Sequence, residues 1–132
     1  RSLYLKLGQR NALAISVASV ALRLVPSPGG GRASPSGAHT SPSGGHRFVC
    51  GKARVAFGAL APTVVRGTRV EEVLTGQALD AGTIARAAAL ARQEVSPISD
   101  VRGTAEYRRE MAAALVKQGL ERLAREGMEK AC

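Results

Sequence analysis

The sequence predicts an α+β fold in which a small antiparallel sheet packs against about three helices. The first half holds three apolar segments that suit strands, at 3–7, 11–25 and 48–60. The second half, after residue 68, holds three segments with the apolar spacing of amphipathic helices. Strands followed by helices, rather than alternating with them, are typical of the α+β class. At 132 residues we expect one domain, 1–132, with a modest core.

The first two segments predict neighbouring strands of different character. Leu3, Leu5 and Leu7 alternate with Tyr4 and Lys6, which indicates a strand with its leucines buried and the other two side chains in solvent. Residues 11–25 are apolar on both parities. This favours a strand covered on both faces, although the many alanines also permit a helix.

Residues 26–47 are composed almost entirely of Pro, Gly, Ser, Ala, His and Thr, and residues 34–40 are repeated in altered form at 41–47. Such a segment buries too little apolar surface to offset the conformational entropy lost on ordering. We therefore expect a disordered insertion between two strands. Two histidines in it, His39 and His46, are a weak donor set, and we expect no metal there.

The next strand, at 48–60, should pair antiparallel with the one before the insertion. Gly51-Lys52 suggests a turn or bulge, Gly58 suggests close approach of another backbone, and Pro62 ends the strand.

Three helices are predicted after this strand. Thr68 and Glu71 have capping-box spacing before a short helix that stops at Gly76. Asp80 is placed to cap a second helix, 81–95, whose buried stripe contains Ile84, Ala87, Ala88, Ala91 and Val95.

The third helix, about 105–126, has its stripe at Tyr107, Met111, Leu115, Gly119 and Leu123, widened by Val116 and Leu120. Its wet face contains Arg108, Arg109, Glu110, Lys117, Glu121 and Arg122.

The polar stretch at 96–111 joins the last two helices and is the first place to look for specific contacts. It carries a charged pair two residues apart, Asp100 and Arg102. The purely structural alternative, which spacing favours, is a helix N-terminus in which Thr104 caps and Asp100 pins the turn.

Composition excludes some classes of function. No apolar run approaches the length of a membrane span. The net charge of +9 would suit a nucleic acid, but the cations are dispersed and only 3% of residues are aromatic, so a nucleic-acid partner is disfavoured.

Cys50 and Cys132 alone build no zinc or iron–sulfur site, and we expect reduced thiols rather than a disulfide. There is no phosphate-binding Walker loop, and no nucleophile has a supporting base, so no catalytic residue is assigned. The chain begins at Arg1, and we expect it to be a piece or a processed form of a longer chain.

Four stretches in order resemble one family. They are Tyr4 to Ser16, Ala53 to Arg66, Glu71 to Asp80, and Ser99 to Arg109, and the second and fourth are the most specific. The chain resembles the C-terminal domain of the FAD-binding subunit of molybdenum hydroxylases, the group of xanthine, carbon monoxide and nicotinate dehydrogenases.

The resemblance implies a cytoplasmic, multi-subunit oxidoreductase. Electrons leave a substrate at a molybdenum cofactor and pass through 2Fe-2S clusters to FAD, then to NAD or another acceptor. The implied partners are an N-terminal FAD-binding domain, absent here, an iron–sulfur subunit and a molybdenum-cofactor subunit. No membrane is implied, and this piece alone would be inactive.

The implied cofactor contacts follow the family's motifs. Tyr4 would lie against the flavin ring with Lys6 near it. Asp100, Arg102 and Tyr107 are further candidate contacts, although a structural role at the turn and helix entry is favoured for them. An aromatic face restricts access to the ring, and a nearby cation favours negative charge on it. Two alternatives remain: a basic, non-catalytic interaction module for protein or nucleic acid, and a decayed remnant of the same fold.

Overall fold

The computed structural model describes residues 1–10, 15–28, 48–101 and 103–129. Within these ranges, four strands precede three helices. The strands are β1 (Ser2–Gly8), β2 (Ser16–Pro26), β3 (Cys50–Gly58) and β4 (Val65–Arg66), and they form one antiparallel sheet in that order. The helices are α1 (Thr68–Leu74), α2 (Ala81–Glu94) and α3 (Ala105–Glu129). The predicted α+β class, with a small antiparallel sheet and about three helices, is confirmed.

The helices cover one face of the sheet and form the core with it. Helix α3 packs on β1 and β2, helix α1 packs on β3, and α2 packs against both helices. The sheet contributes Val20, Leu22, Leu24, Val55 and Phe57, all buried. Helix α3 comes close to β2 because position 119 is glycine, and a Cβ there would overlap the Leu22 side chain.

Strand β2 matches the prediction of burial on both faces only in its first part. Residues 17–20 are buried, but Ala21, Arg23 and Val25 are exposed and alternate with buried Leu22 and Leu24. Alanine and valine are also common on exposed strand faces. The apolar composition of this segment therefore predicted more burial than the strand has. Residues 11–14, predicted as the start of this strand, lie outside the described residues.

The pairing of β2 with β3 confirms the antiparallel prediction and a bulge at Gly51. Val25 pairs with Lys52 and Pro26 pairs with Cys50, so Gly51 is the extra residue. At Gly58 the close neighbour is the hydroxyl of Ser19, its cross-strand partner, rather than a backbone. The predicted insertion at 26–47 lies outside the described residues except for its first three, 26–28.

The predicted capping box at α1 is wrong. Gly67 is the N-cap, and Thr68 is the first helical residue. Glu94, at the end of α2, caps α1 instead: its carboxylate accepts the Arg69 amide at 2.8 Å and the Val70 amide at 3.3 Å. Glu71 points toward the sheet. The unpaired amides at the start of α1 are therefore bonded by a carboxylate that is distant in sequence, and not by a capping box.

Helix α2 agrees with its prediction. The Asp80 carboxylate accepts the Thr83 amide at 2.7 Å, which caps the helix. The predicted stripe is buried throughout.

In α3 the predicted stripe is shifted in phase at its beginning. Arg108, placed on the wet face from the sequence, is only 4% exposed, whereas Tyr107 is 47% exposed. Arginine is rarely buried unless it is paired. The sequence pattern therefore placed Tyr107 in the core and Arg108 in solvent. From Leu115 to Leu123 the predicted positions are buried. None of the helices in the described part of the chain is long and apolar enough to cross a membrane.

Candidate functional site

The sheet face opposite the helices carries the residues with the clearest functional potential, and we call it the open face. Successive side chains of a strand point to opposite faces, so packing Leu3, Leu5 and Leu7 against the core turns Tyr4 and Lys6 outward. The same alternation brings the following residues of the inner strands to this face: Ala21, Arg23, Val25, Lys52, Arg54 and Ala56.

Tyr4 lies in a row of small neighbours. Its cross-strand partner is Ala21, which is paired in turn with Ala56, and Ala56 is paired with Arg66. Two alanines cannot cover a phenol ring, and Tyr4 is 61% exposed. A cavity of about 500 Å³ lies along this row and is also lined by Val64, which is 73% exposed. We call Tyr4, Ala21, Ala56 and Val64 the apolar strip.

Lys6 lies one pair further along β1. Its partner is Ser19, and Ser19 pairs with Gly58. Ser19 is buried whereas Lys6 is exposed, so this end of the sheet is partly covered beside the strip.

The turn between α2 and α3 lies toward the same end of the sheet. Asp100 and Gly103 exchange two backbone hydrogen bonds, of 3.0 and 3.2 Å. A Cβ at Gly103 would be 3.9 Å from a methyl group of Val17, which is two residues from Ser19 on β2. The fold therefore brings the Asp100 turn and the Lys6 end of β1 to one region of the sheet, although they are far apart in sequence.

Asp100 is engaged by a buried arginine. One guanidinium nitrogen of Arg108 donates to the Asp100 carboxylate at 2.7 Å, and another donates to the Ala59 carbonyl at 3.3 Å. Ala59 directly follows β3 and has a left-handed backbone, φ 59°. These two hydrogen bonds join the end of β3 to α3, and they explain why Arg108 is buried. Nε of Arg108 is buried without a hydrogen-bond partner.

The start of α3 confirms the structural reading of this turn. The Thr104 hydroxyl accepts the Tyr107 amide at 3.1 Å, and the Ser99 hydroxyl accepts the Ala105 amide at 2.8 Å. Thr104 caps and Asp100 pins the turn. A cofactor contact by Asp100 stays a prediction, and Arg102 lies outside the described residues.

Glu71 is a site residue that sequence reasoning missed. Its carboxylate accepts two bonds from the Arg66 fork, at 2.7 and 2.8 Å, one from Arg54 at 3.2 Å and the buried Val55 amide at 2.9 Å. Hydrogen bonding from Arg66 lowers the pKa of Glu71, helped by the Val55 amide and the nearby positive charges, while burial opposes the shift. The same contact raises the pKa of Arg66.

A sequence signal for this role did exist. Glu71 lies on the helical stripe of Val70 and Leu74, the buried side of α1. A carboxylate on such a stripe needs partners, and Arg66 is a cation in the segment that leads into the helix.

The arrangement suits binding more than bond-making chemistry. In the described part of the chain no three His, Cys, Asp or Glu side chains converge as metal ligands. Cys50 is buried, which raises its thiol pKa and disfavours the reactive thiolate. What the open face presents is a flat apolar strip beside cationic groups, which fits a planar group that carries negative charge.

Comparison with known proteins gives consistent results. Residues 4–123 match the family model described as the CO dehydrogenase flavoprotein C-terminal domain. The chain is 38% identical over 73 residues to the carbon monoxide dehydrogenase medium chain of Afipia carboxidovorans, covering 55% of this chain and 25% of the relative.

Solved structures show the same fold. The cyanide-inactivated form of Cu,Mo-CO dehydrogenase superposes with a TM-score of 0.71 at 30% identity, over 92% of this chain and 35% of that one. Carbon monoxide dehydrogenase from Hydrogenophaga pseudoflava, lacking the Mo-pyranopterin moiety, gives 0.71 at 27% identity, over 91% and 35%. This chain thus spans about a third or less of these relatives.

Proposed function

This chain belongs to the CO dehydrogenase flavoprotein C-terminal domain family, and from that membership we propose that it helps to form the flavin site of a molybdenum-containing hydroxylase or dehydrogenase. It would act as the C-terminal part of the FAD subunit. The observation that carries the proposal is the exposed Tyr4 ring on the apolar strip of the open face.

The residues present fit a flavin. An isoalloxazine ring is planar and largely apolar, and the apolar strip offers a flat surface with one aromatic side chain beside a cavity of about 500 Å³. Bound FAD would supply the redox chemistry, taking electrons that come from iron–sulfur clusters and passing them to NAD or another acceptor.

Two side chains of β1 have distinct roles in this proposal. The Tyr4 ring covers one face of the ring system and restricts access of solvent to it. Lys6 lies on the same face of β1 as Tyr4, two residues along, so its ammonium favours negative charge at that end of the ring. The Asp100 turn supports this end of the sheet, and Arg102 next to it is a further proposed contact.

The rest of the assembly is also part of the proposal. This chain would work with an N-terminal FAD-binding domain, an iron–sulfur subunit and a molybdenum-cofactor subunit, in the cytoplasm, and would be inactive alone. The Cu,Mo enzyme among its structural relatives supports a complex of this type. The residues at 26–47 would form an insertion in an otherwise single domain.

The test uses the subunit as its native gene encodes it, with whatever flanks this chain. Its visible absorbance and FAD affinity are compared for the native protein, Tyr4→Phe and Tyr4→Ala. Loss of an aromatic contact worth about 0.5–1.5 kcal/mol should weaken FAD binding about two- to tenfold in Tyr4→Ala, and Tyr4→Phe should retain it.

Arg86→Ala is the control, because Arg86 is an exposed side chain on α2, on the helical side of the sheet. It should leave FAD affinity unchanged. A folded, colourless subunit that takes up no added FAD would refute the flavin role. Equal FAD affinity in Tyr4→Ala and the native protein would refute the assignment of Tyr4.

A further inference from the structure

Three cations stand together on the open face, at the end of the β2–β3 hairpin. Arg23 is the direct cross-strand partner of Arg54, and Lys52 pairs with Val25. All three are exposed, and a cavity of about 210 Å³ is lined by these four residues alone. We call Arg23, Lys52 and Arg54 the cationic row.

This arrangement is unfavourable for the isolated fold. Like charges directly opposite each other on one face of a sheet repel. Arg54 has partial compensation from Glu71 at 3.2 Å, but Glu71 is shared with Arg66 and the Val55 amide. Among the described residues, neither Arg23 nor Lys52 has a carboxylate within ion-pair distance. The row is therefore short of negative charge, which a second molecule can provide.

The surroundings of the row indicate a protein surface rather than a nucleic acid. Val25, 40% exposed, lies between the cations, and Tyr4 is the one aromatic side chain of the described open face. Single-stranded nucleic acids bind to positively charged grooves with several aromatic rings on which the bases stack, whereas this face has one ring and Glu71 interrupts its positive charge. Arginine and tyrosine are both enriched at protein interfaces.

We propose that the cationic row is a docking surface for an acidic patch of a partner protein. Carboxylates of the partner pair with Arg23, Lys52 and Arg54, and an apolar side chain covers Val25. Arg23 and Arg54 also line the cavity beside Tyr4, so the row borders the apolar strip. The peptide assay needs no flavin, whereas the Tyr4 assay measures flavin affinity, so the two proposals fail separately.

The test measures binding of a fluorescently labelled poly-L-glutamate peptide to the full chain by anisotropy, over a range of salt concentrations. The test variant is Arg23→Gln with Lys52→Gln. The control is Arg86→Gln with Arg109→Gln, which removes the same two charges from exposed positions on α2 and α3. Thermal melting of each protein checks that it is folded at the assay temperature.

We expect the test variant to bind the peptide about three- to tenfold more weakly, because two exposed ion pairs are lost, and the control to bind within about twofold of the native chain. Equal weakening in both variants would show attraction by net charge alone and would overturn the proposal. A labelled oligothymidylate that binds more tightly than the peptide at equal salt, and is lost only in the test variant, would also overturn it, in favour of a nucleic acid.

Discussion

Replacing Glu71 by Gln tests the bridge between the sheet and α1. The native carboxylate joins two arginines and a buried strand amide, and its side chain is 7% exposed. Gln has nearly the same shape but no charge, and its NH2 group would face guanidinium donors. The change therefore removes the charge-assisted part of the contacts with little change in packing.

The magnitude follows from the two kinds of partner. Hydrogen bonds to a charged group contribute about 1.5–3 kcal/mol, but the arginines are about half exposed, so water screens them and can solvate them after the change. Gln can still accept the Val55 amide. We expect the free energy of unfolding to fall by about 2 kcal/mol, which is about 6–10 °C in melting temperature for a chain of this size.

The effect should depend on pH in one direction. The folded-state pKa of Glu71 lies below its value in the unfolded chain. Its contribution is therefore fully present above about pH 4.3 and is lost as the pH falls through the folded-state pKa. The native protein and Glu71→Gln should have different melting temperatures at neutral pH and converge in acid.

The assay is thermal unfolding followed by far-ultraviolet circular dichroism between neutral pH and about pH 3. Glu72→Gln is the matched control, because the neighbouring Glu72 is exposed, and it should change stability by less than about 0.5 kcal/mol. The reasoning is refuted if Glu71→Gln melts like Glu72→Gln at neutral pH. It is also refuted if the gap between Glu71→Gln and the native protein persists unchanged in acid.

Two other changes test contacts that the sequence did not predict. Glu94→Ala removes the cap of α1 and should lower the free energy of unfolding by about 1 kcal/mol in urea denaturation, while the exposed neighbour Gln93→Ala should not; equal effects would argue against the cap. Arg108→Met removes the buried guanidinium that pairs with Asp100 and should lower the free energy of unfolding by about 2–4 kcal/mol. Arg109→Met, on the exposed side of α3, should change it little. An unchanged free energy of unfolding in Arg108→Met would contradict a stabilising role for the Arg108 hydrogen bonds to Asp100 and Ala59.

The periodic segments were predictable because their information is local. The Leu3–Leu7 alternation identified β1 and its outward side chains, and Asp80 marked the start of α2. The two-residue strand β4 was not predicted, because Val65 and Arg66 become a strand only by pairing with Ala56 and Phe57.

The errors share one physical cause. Thr68 and Glu71 had the spacing of a capping box, but two arginines and a strand amide competed for Glu71, and Glu94 was available for the helix amides. Arg108 looked solvated because its partner Asp100 is separated from it by a turn. Sequence patterns predict that a charged side chain is solvated or pairs with a residue nearby in sequence. In the folded chain it pairs with the group that tertiary packing brings close.

By itself the sequence determined the class of fold, the outward position of Tyr4 and Lys6, and the family resemblance, because strand and helix periods depend only on spacing along the chain. Only the tertiary structure decided what surrounds them: the alanines that leave Tyr4 bare, the Glu71 bridge, and the meeting of Arg23 with Arg54. Cross-strand register places these residues together, and register is set by the packing of the whole sheet on its helices.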